Sequence, residues 1–230
     1  RRIKALPFLA GALERHLEEF RREFENYGEA PTAGLLDNVD PVLFGSVLDF
    51  CENQPGGLSK TLVNVVSKSG ETAETASQFL IVRDWVARML GAKALTKHIM
   101  VTTDPESGTL CDQAVREGYD MLPVPPGVGG RFSVLSAVGL FSAAMCGINI
   151  RKLMVGAAAM SKRASEPNVA KNPAAMLALL LHMFYTRGKR MHVMFPYAHA
   201  LKDLSDWYCQ LWAESLGKCR DTSGQPVVVG

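Results

Sequence analysis

The segment Val65-Val66-Ser67-Lys68-Ser69-Gly70-Glu71-Thr72-Ala73-Glu74-Thr75 sets four hydroxyl-bearing side chains, Ser67, Ser69, Thr72 and Thr75, between an apolar run and a stretch of helical period. A strand that passes into a helix through such a loop offers hydroxyls, backbone N–H groups and the positive end of a helix dipole. Those donors suit a small oxyanion such as a phosphate monoester. The same residues also suit an ordinary helix cap in which Ser69 or Glu71 satisfies the first turn. The G-x-x-x-x-G-K-[ST] spacing of nucleoside-triphosphate loops is absent.

Two further segments carry candidate chemistry. Gly127-Val128-Gly129-Gly130-Arg131-Phe132-Ser133 follows Pro125-Pro126 and leads into an uncharged stretch, leaving a lone guanidinium beside glycines that permit close backbone approach. That cation calls for an anionic ligand, or for a nearby carboxylate at the surface. In Gln210-Leu211-Trp212-Ala213-Glu214-Ser215-Leu216-Gly217-Lys218, Gln210 and Glu214 are four apart and share one helix face, with Trp207, Leu211 and Trp212 as anchors. Glu214 is then either a general base or a solvated surface carboxylate. His16, His98, His182, His192 and His199 have no metal-ligand spacing, and structural roles suit each of them.

These segments need a scaffold. Short apolar runs (Gly34–Leu36, Leu62–Val66, Ile99–Thr102, Met121–Val124, His192–Phe195) alternate with stretches of helical period such as Thr72–Leu90 and Leu110–Glu117. The alternation predicts an α/β fold, a three-layer αβα sandwich around a parallel sheet. In such a sheet functional groups gather in the loops after the strands. Ser67–Thr75, Thr103–Thr109 and Pro125–Ser133 are those loops. An amphipathic helix is expected over Ile3–Tyr27 and another over Leu201–Leu216, and residues after Ile150 are expected to begin a second, incomplete α/β unit.

Composition excludes several classes. With 230 residues, 47% of them hydrophobic, the chain is neither disordered nor collagen-like. Its 25 basic and 23 acidic residues are interspersed, so there is no electrostatic footprint for nucleic acid or an acidic membrane. Phe132–Ile150 is uncharged but contains Ser133, Ser136, Gly139, Ser142, Gly147 and Asn149, and is read as a buried helix rather than a membrane span. Five widely spaced cysteines argue against a disulfide framework or zinc cage and fit a reducing, cytoplasmic location. The chain starts with Arg1 and stops at a strand-like Pro226-Val227-Val228-Val229-Gly230, as expected of a fragment.

Taken in order, Asp37-Asn38-Val39-Asp40-Pro41, the Ser-Lys-Ser-Gly run from Ser67, Thr103-Asp104-Pro105-Glu106-Ser107-Gly108, Gly129-Gly130-Arg131-Phe132-Ser133-Val134-Leu135-Ser136 and Gln210–Lys218 resemble the signatures of the phosphoglucose isomerase family, built from two sugar-isomerase (SIS) domains. The resemblance implies a first SIS-type domain over 1–150, incomplete at its N-terminus, and over 151–230 a helical connection with the beginning of a second. It implies interconversion of glucose 6-phosphate and fructose 6-phosphate through a cis-enediolate, with Glu214 as base and Arg131 stabilising the negative charge. Ser67, Lys68, Ser69 and Thr72 would hold the phosphate, Lys68 through its backbone N–H. Gln210 would contact the sugar or a water, and Gly130 would leave space beside Arg131. No metal or organic cofactor is implied, and the full-length parent is expected to be a homodimer.

A non-catalytic phosphosugar-binding module and an isomerase that also accepts mannose 6-phosphate are alternatives. The chain departs from the family pattern in three ways. A Gly-Ile-Gly-Gly-Ser segment ahead of Asp37 is missing, no histidine here sits in the context of the one that opens the sugar ring from a neighbouring subunit, and the family's late Lys is absent. Glu71 places a carboxylate in the phosphate loop and is expected to point outward or cap the helix.

Overall fold

The computed structural model describes Gly34, Leu36 and residues 39–227. The expected N-terminal helix lies outside the described residues, as does Leu35. Gly34 and Leu36 belong to no strand. The chain divides into two compact units, Arg1–Met154 and Val155–Gly230.

In the first unit, strands β1 (Val63–Val66), β2 (Ile99–Thr103) and β3 (Asp120–Pro123) form a three-stranded sheet in the order β1-β2-β3. Both pairings are parallel, Val65 facing Val101 and Val101 facing Met121 across the sheet. The helices are α1 (Pro41–Asn53), α2 (Ala73–Leu90), the single turn α3 (Leu95–His98), α4 (Thr109–Glu117), α5 (Ala137–Met145) and the start of α6 (Ile150–Ala164), which belongs to this unit as far as Met154. Strand alternation sends side chains to opposite faces. Val65, Ile99 and Val101 pack under Phe44 of α1, Phe79, Val82, Trp85 and Val86 of α2, and Leu110 and Ala114 of α4. On the other face, Met100 and Leu122 meet Ala137, Leu140, Phe141 and Ala144 of α5 and Ile150 and Met154 of α6. The sheet is therefore covered by helices on both sides, the arrangement that the near-continuous apolar strands require.

The uncharged stretch is shorter as a helix than expected. It runs as a turn of 3-10 helix at Gly130–Phe132 and then as α5, nine residues long. Ser136 starts α5 by accepting from the Val138 N–H, and Gly147, at φ +77°, ends it through bonds from Gly147 N to Ala144 O and Ile148 N to Ala143 O. Serine as N-cap and a left-handed glycine after the last turn are sequence-level stops that hydropathy alone conceals. Among the described residues no helix is long and apolar enough to cross a membrane.

The second unit contains α7 (Pro173–Thr186) and α8 (Lys202–Leu216). Asn172 caps α7 by accepting from the Ala175 N–H, and its amide donates to the carbonyls of Ala164 and Glu166. The strand expected at His192–Phe195 is not formed. Residues 189–196 have no regular structure, because no described strand lies alongside to complete a ladder. Among the described residues the buried apolar side chains all belong to the first unit, and Leu177, Leu180 and Phe184 of α7 are exposed.

One polar cluster ties α2 to the end of α4 and to Tyr119, which precedes β3. Arg83 donates to Glu117 at 2.7 Å and to the Tyr119 hydroxyl at 3.2 Å, and Tyr119 donates to Glu117 at 2.7 Å. Burial alone would raise the Glu117 pKa, but bonds from Tyr119 and Gln113 and the Arg83 charge outweigh it and hold the carboxyl below its ordinary value. A depressed folded pKa gives stability that is present above the unfolded value and lost as pH falls through the folded one. Glu117→Gln should therefore lower unfolding free energy at pH 7 by about 1–2 kcal/mol, and the gap to the parent should shrink below roughly pH 4.5. Chemical denaturation at several pH values checks this, and a gap that does not change with acidification contradicts it.

Candidate active site

Because all three strands are parallel, the loops that follow them emerge from one edge of the sheet. The first continues β1. Ser67 N–H donates to Thr102 O at 3.1 Å, and Ser67 is buried, whereas Lys68, Ser69 and Thr72 are exposed. The Ser67 hydroxyl is the hub of the loop. It accepts from the Gly70 N–H at 3.0 Å and lies 3.2 Å from the Thr72 hydroxyl. Thr72 also donates to Thr75 at 3.4 Å, and Ser69 Oγ accepts from the Glu71 N–H at 3.2 Å. Gly70 turns the chain at φ +77°, a conformation costly for any residue with a Cβ.

Thr72 is the N-cap of α2 yet makes no side-chain capping bond. The Ser69 hydroxyl is used ahead of the helix, on Glu71, and Glu71 itself is exposed. The positive end of α2 is therefore left to be satisfied by something other than the loop's own side chains. Exposed hydroxyls beside it are what a tetrahedral oxyanion needs.

Lys68 bridges to the third loop. Its ammonium donates to Val128 O at 3.2 Å, so the glycine-rich segment is held against the hydroxyl loop. Arg131 sits within the Gly130–Phe132 turn, half-buried, with its guanidinium 5.0 Å from the centre of the Phe132 ring. Two serines lock this turn. Ser133 Oγ donates to Gly130 O at 2.6 Å and Ser136 Oγ to Ser133 O at 2.5 Å. A Cβ at Gly130 would meet nothing within 4 Å, so open space borders the arginine's neighbour.

In the second unit, Gln210 and Glu214 are joined directly, the Gln210 amide donating to Glu214 Oε1 at 2.9 Å, and Lys218 Nζ donates to Glu214 O at 2.6 Å. Both Gln210 and Glu214 are exposed. Another face of α8 is aromatic. Trp212 packs on His192 with ring centres 4.2 Å apart and stacks on Tyr208, whose hydroxyl lies 3.3 Å from His192 Nδ1. Trp207, expected as an anchor, is instead exposed. The four-residue spacing of Tyr208 and Trp212 is the sequence signal for the face that does pack.

The structure thus groups Ser67, Lys68, Ser69 and Thr72 with the loop bearing Gly130 and Arg131, and separately pairs Gln210 with Glu214. Sequence reasoning missed the locking role of Ser133 and Ser136, and the Val128 carbonyl, which no residue type reveals. Among the described residues no three His, Cys, Asp or Glu side chains cluster as a metal site. Burial raises the Cys51 thiol above its ordinary pKa, opposed in part by Thr61, which leaves it a poor nucleophile.

Comparison with known proteins follows the same outline. The family model for phosphoglucose isomerase matches residues 20–229. The chain is 46% identical over 200 residues to the glucose-6-phosphate isomerase of Carboxydothermus hydrogenoformans, a match covering 87% of this chain and 42% of the relative. It is 46% identical over 189 residues to that of Rubrobacter xylanophilus, covering 82% of this chain and again 42% of the relative. A crystal structure of a hypothetical protein from Thermus thermophilus superposes with a TM-score of 0.75 at 39% identity, over 84% of this chain and 44% of that one. That of a Chlamydia trachomatis glucose-6-phosphate isomerase gives 0.67 at 27% identity, over 83% and 36%. The chain therefore spans less than half the length of each of these proteins.

The segment that follows the arginine turn makes a close approach that yields a test. A Cβ at Gly139, in the first turn of α5, would run into the Val134 carbonyl oxygen and come within 2.9 Å of Val134 Cγ2. Glycine to alanine in a helix usually stabilises by about 1 kcal/mol. Here Gly139→Ala should destabilise by roughly 1–3 kcal/mol, as overpacking does. Urea unfolding checks the sign, and a stabilised variant contradicts the contact.

Proposed function

The chain belongs to the phosphoglucose isomerase family, and from that membership we propose that it is part of an aldose–ketose isomerase interconverting glucose 6-phosphate and fructose 6-phosphate. The observation that carries the reading is the hydroxyl loop. The Ser67 and Thr72 hydroxyls meet at the start of α2, where Thr72 makes no side-chain capping bond, and Ser69 is exposed in the same loop, an environment in which a phosphate monoester is recognised without a metal. Lys68 contributes its backbone N–H, since its ammonium is engaged by Val128.

At the reacting end, Glu214 takes the proton from C2 of the open-chain aldose and returns it to C1, passing through a cis-enediolate in which the O2 hydroxyl proton moves to O1, so that the carbonyl shifts from C1 to C2. Gln210 orients that carboxylate through its 2.9 Å bond and, in this reading, contacts a sugar hydroxyl or water. Arg131 stabilises the enediolate oxygens because a guanidinium stays charged and does not give up its proton to them. Proton transfer and charge stabilisation both come from side chains, so the chemistry needs neither metal nor organic cofactor. In the same reading residues 1–150 form the first sugar-isomerase domain, and 151–230 form the connection and the beginning of a second. The full-length protein is a cytoplasmic homodimer with no nucleic-acid or membrane partner.

The test is a pair of variants in the full-length protein. Glu214→Gln should lower kcat by about 10²–10⁴-fold, the usual worth of a positioned base, while glucose 6-phosphate still binds with nearly parental affinity. Thr72→Val should weaken glucose 6-phosphate binding about tenfold through loss of a hydrogen bond to a charged group, with kcat little changed. Isomerase assays and calorimetric titration read both. Undiminished turnover in Glu214→Gln overturns the base assignment, and binding without turnover in the parent favours a phosphosugar-binding module instead.

A further inference from the structure

Thr103–Thr109, from the last residue of β2 to the first of α4, supplies no group in the mechanism above, yet it bonds to the hydroxyl loop at two consecutive carbonyls. Lys68 O accepts two bonds from it, the Asp104 N–H at 3.1 Å and the Thr103 hydroxyl at 3.1 Å. Ser69 O accepts the Thr109 hydroxyl at 3.3 Å. The backbones are pressed together as well. A Cβ on Gly108 would stand 2.6 Å from Ser69 O, and one on Gly70 would stand 2.5 Å from Leu110 N. Both glycines have positive φ, +106° and +77°. Thr103 is fully buried, so its hydroxyl is spent on this contact rather than on solvent.

We propose that Thr103, Asp104 and Thr109 are positioning residues for the phosphate site: they hold the carbonyl oxygens of Lys68 and Ser69 turned away from the ligand, so that these two acceptors do not face it. A phosphate carries acceptor oxygens only, and a carbonyl aimed at it adds repulsion where an N–H adds attraction. A loop of consecutive peptide groups carries as many carbonyls as N–H groups, so a donor-lined surface exists only where something else takes the acceptors. The second loop does this with one N–H and two hydroxyls. Gly108 and Gly70 allow the two backbones close enough for it to reach. The inference rests on the phosphate reading and adds to it the reason the loop is selective for anions.

The experiment titrates the 230-residue chain and its variants with glucose 6-phosphate, inorganic phosphate and unphosphorylated glucose by calorimetry, with amide hydrogen exchange on the same samples. Thr103→Val keeps the shape of the side chain and removes its hydroxyl. It should weaken binding of both phosphate ligands by a similar factor, about tenfold, and speed exchange at Ser69–Glu71 while β2 and β3 stay protected. Thr103→Ser should restore affinity to within about twofold of the parent. Thr109→Val, at an exposed position, should weaken both ligands on the order of fivefold and carries the test should Thr103→Val fail to fold. Parental affinity in the folded Thr103→Val or Thr109→Val protein, with only its melting temperature lowered, overturns the proposal. So does failure of serine to restore binding. If the parent chain binds neither phosphate ligand, the phosphate reading itself falls and this proposal falls with it. Intact parental binding with unaffected variants overturns the positioning role alone.

Discussion

A peptide loop that is to hold an anion must dispose of its own carbonyl oxygens, and in the proposed reading this constraint links the loops of the first unit. The Lys68 carbonyl is taken by Thr103 and Asp104 and the Ser69 carbonyl by Thr109, so the loop after β1 is shaped by the loop after β2. That contact exists only because β1 and β2 are parallel neighbours in register, which brings both strand ends to one edge. The register in turn depends on apolar strands buried on both faces by α2 and α4 on one side and α5 and α6 on the other. The core is thus the frame that fixes the distance between two loops, and the distance decides which backbone atoms face outward.

The groups proposed to act on the sugar follow the same logic of fixed position. Arg131 is carried by a turn locked by Ser133 and Ser136, and Val134 just beyond it is pressed against Gly139, so the guanidinium starts from a defined backbone. Glu214 is held by Gln210 on a helix whose aromatic face grips His192. Preorganised charge of this kind is where isomerases gain most of their rate, because little rearrangement is left to the moment of reaction. In the proposed mechanism a phosphate loop, a guanidinium beside the enediolate and a carboxylate that moves the proton divide the work among side chains of different permanence of charge.

Much of this was legible in the sequence. Apolar alternation located β1, β2 and β3 to within a residue or two, and the hydroxyl-rich run after β1 falls in the loop before α2, where residue type placed it. The pairing of Gln210 with Glu214 followed from a four-residue spacing. What escaped was set by long-range contact. His192–Phe195 has strand composition but no neighbouring strand among the described residues, and a strand is a property of a pair. The uncharged stretch after Phe132 looked like one helix, whereas Ser136 and Gly147 confine α5 to its middle. Thr103 and Thr109 stood in a motif with no assigned task, because their partners are backbone carbonyls 35 and 40 residues away, Lys68 O for Thr103 and Ser69 O for Thr109. Side-chain chemistry can be read along a chain, but the atoms that receive it are chosen by folding.

The central claim is that the end of β1 recognises phosphate through backbone and hydroxyl donors. A ¹⁵N-correlated NMR titration of the chain measures this most directly, comparing glucose 6-phosphate with glucose. The account predicts that glucose 6-phosphate moves the amide resonances of Ser67–Thr75 saturably, while glucose at the same concentration leaves them in place. Equal perturbation by both sugars, or shifts confined to residues remote from this loop, would contradict it.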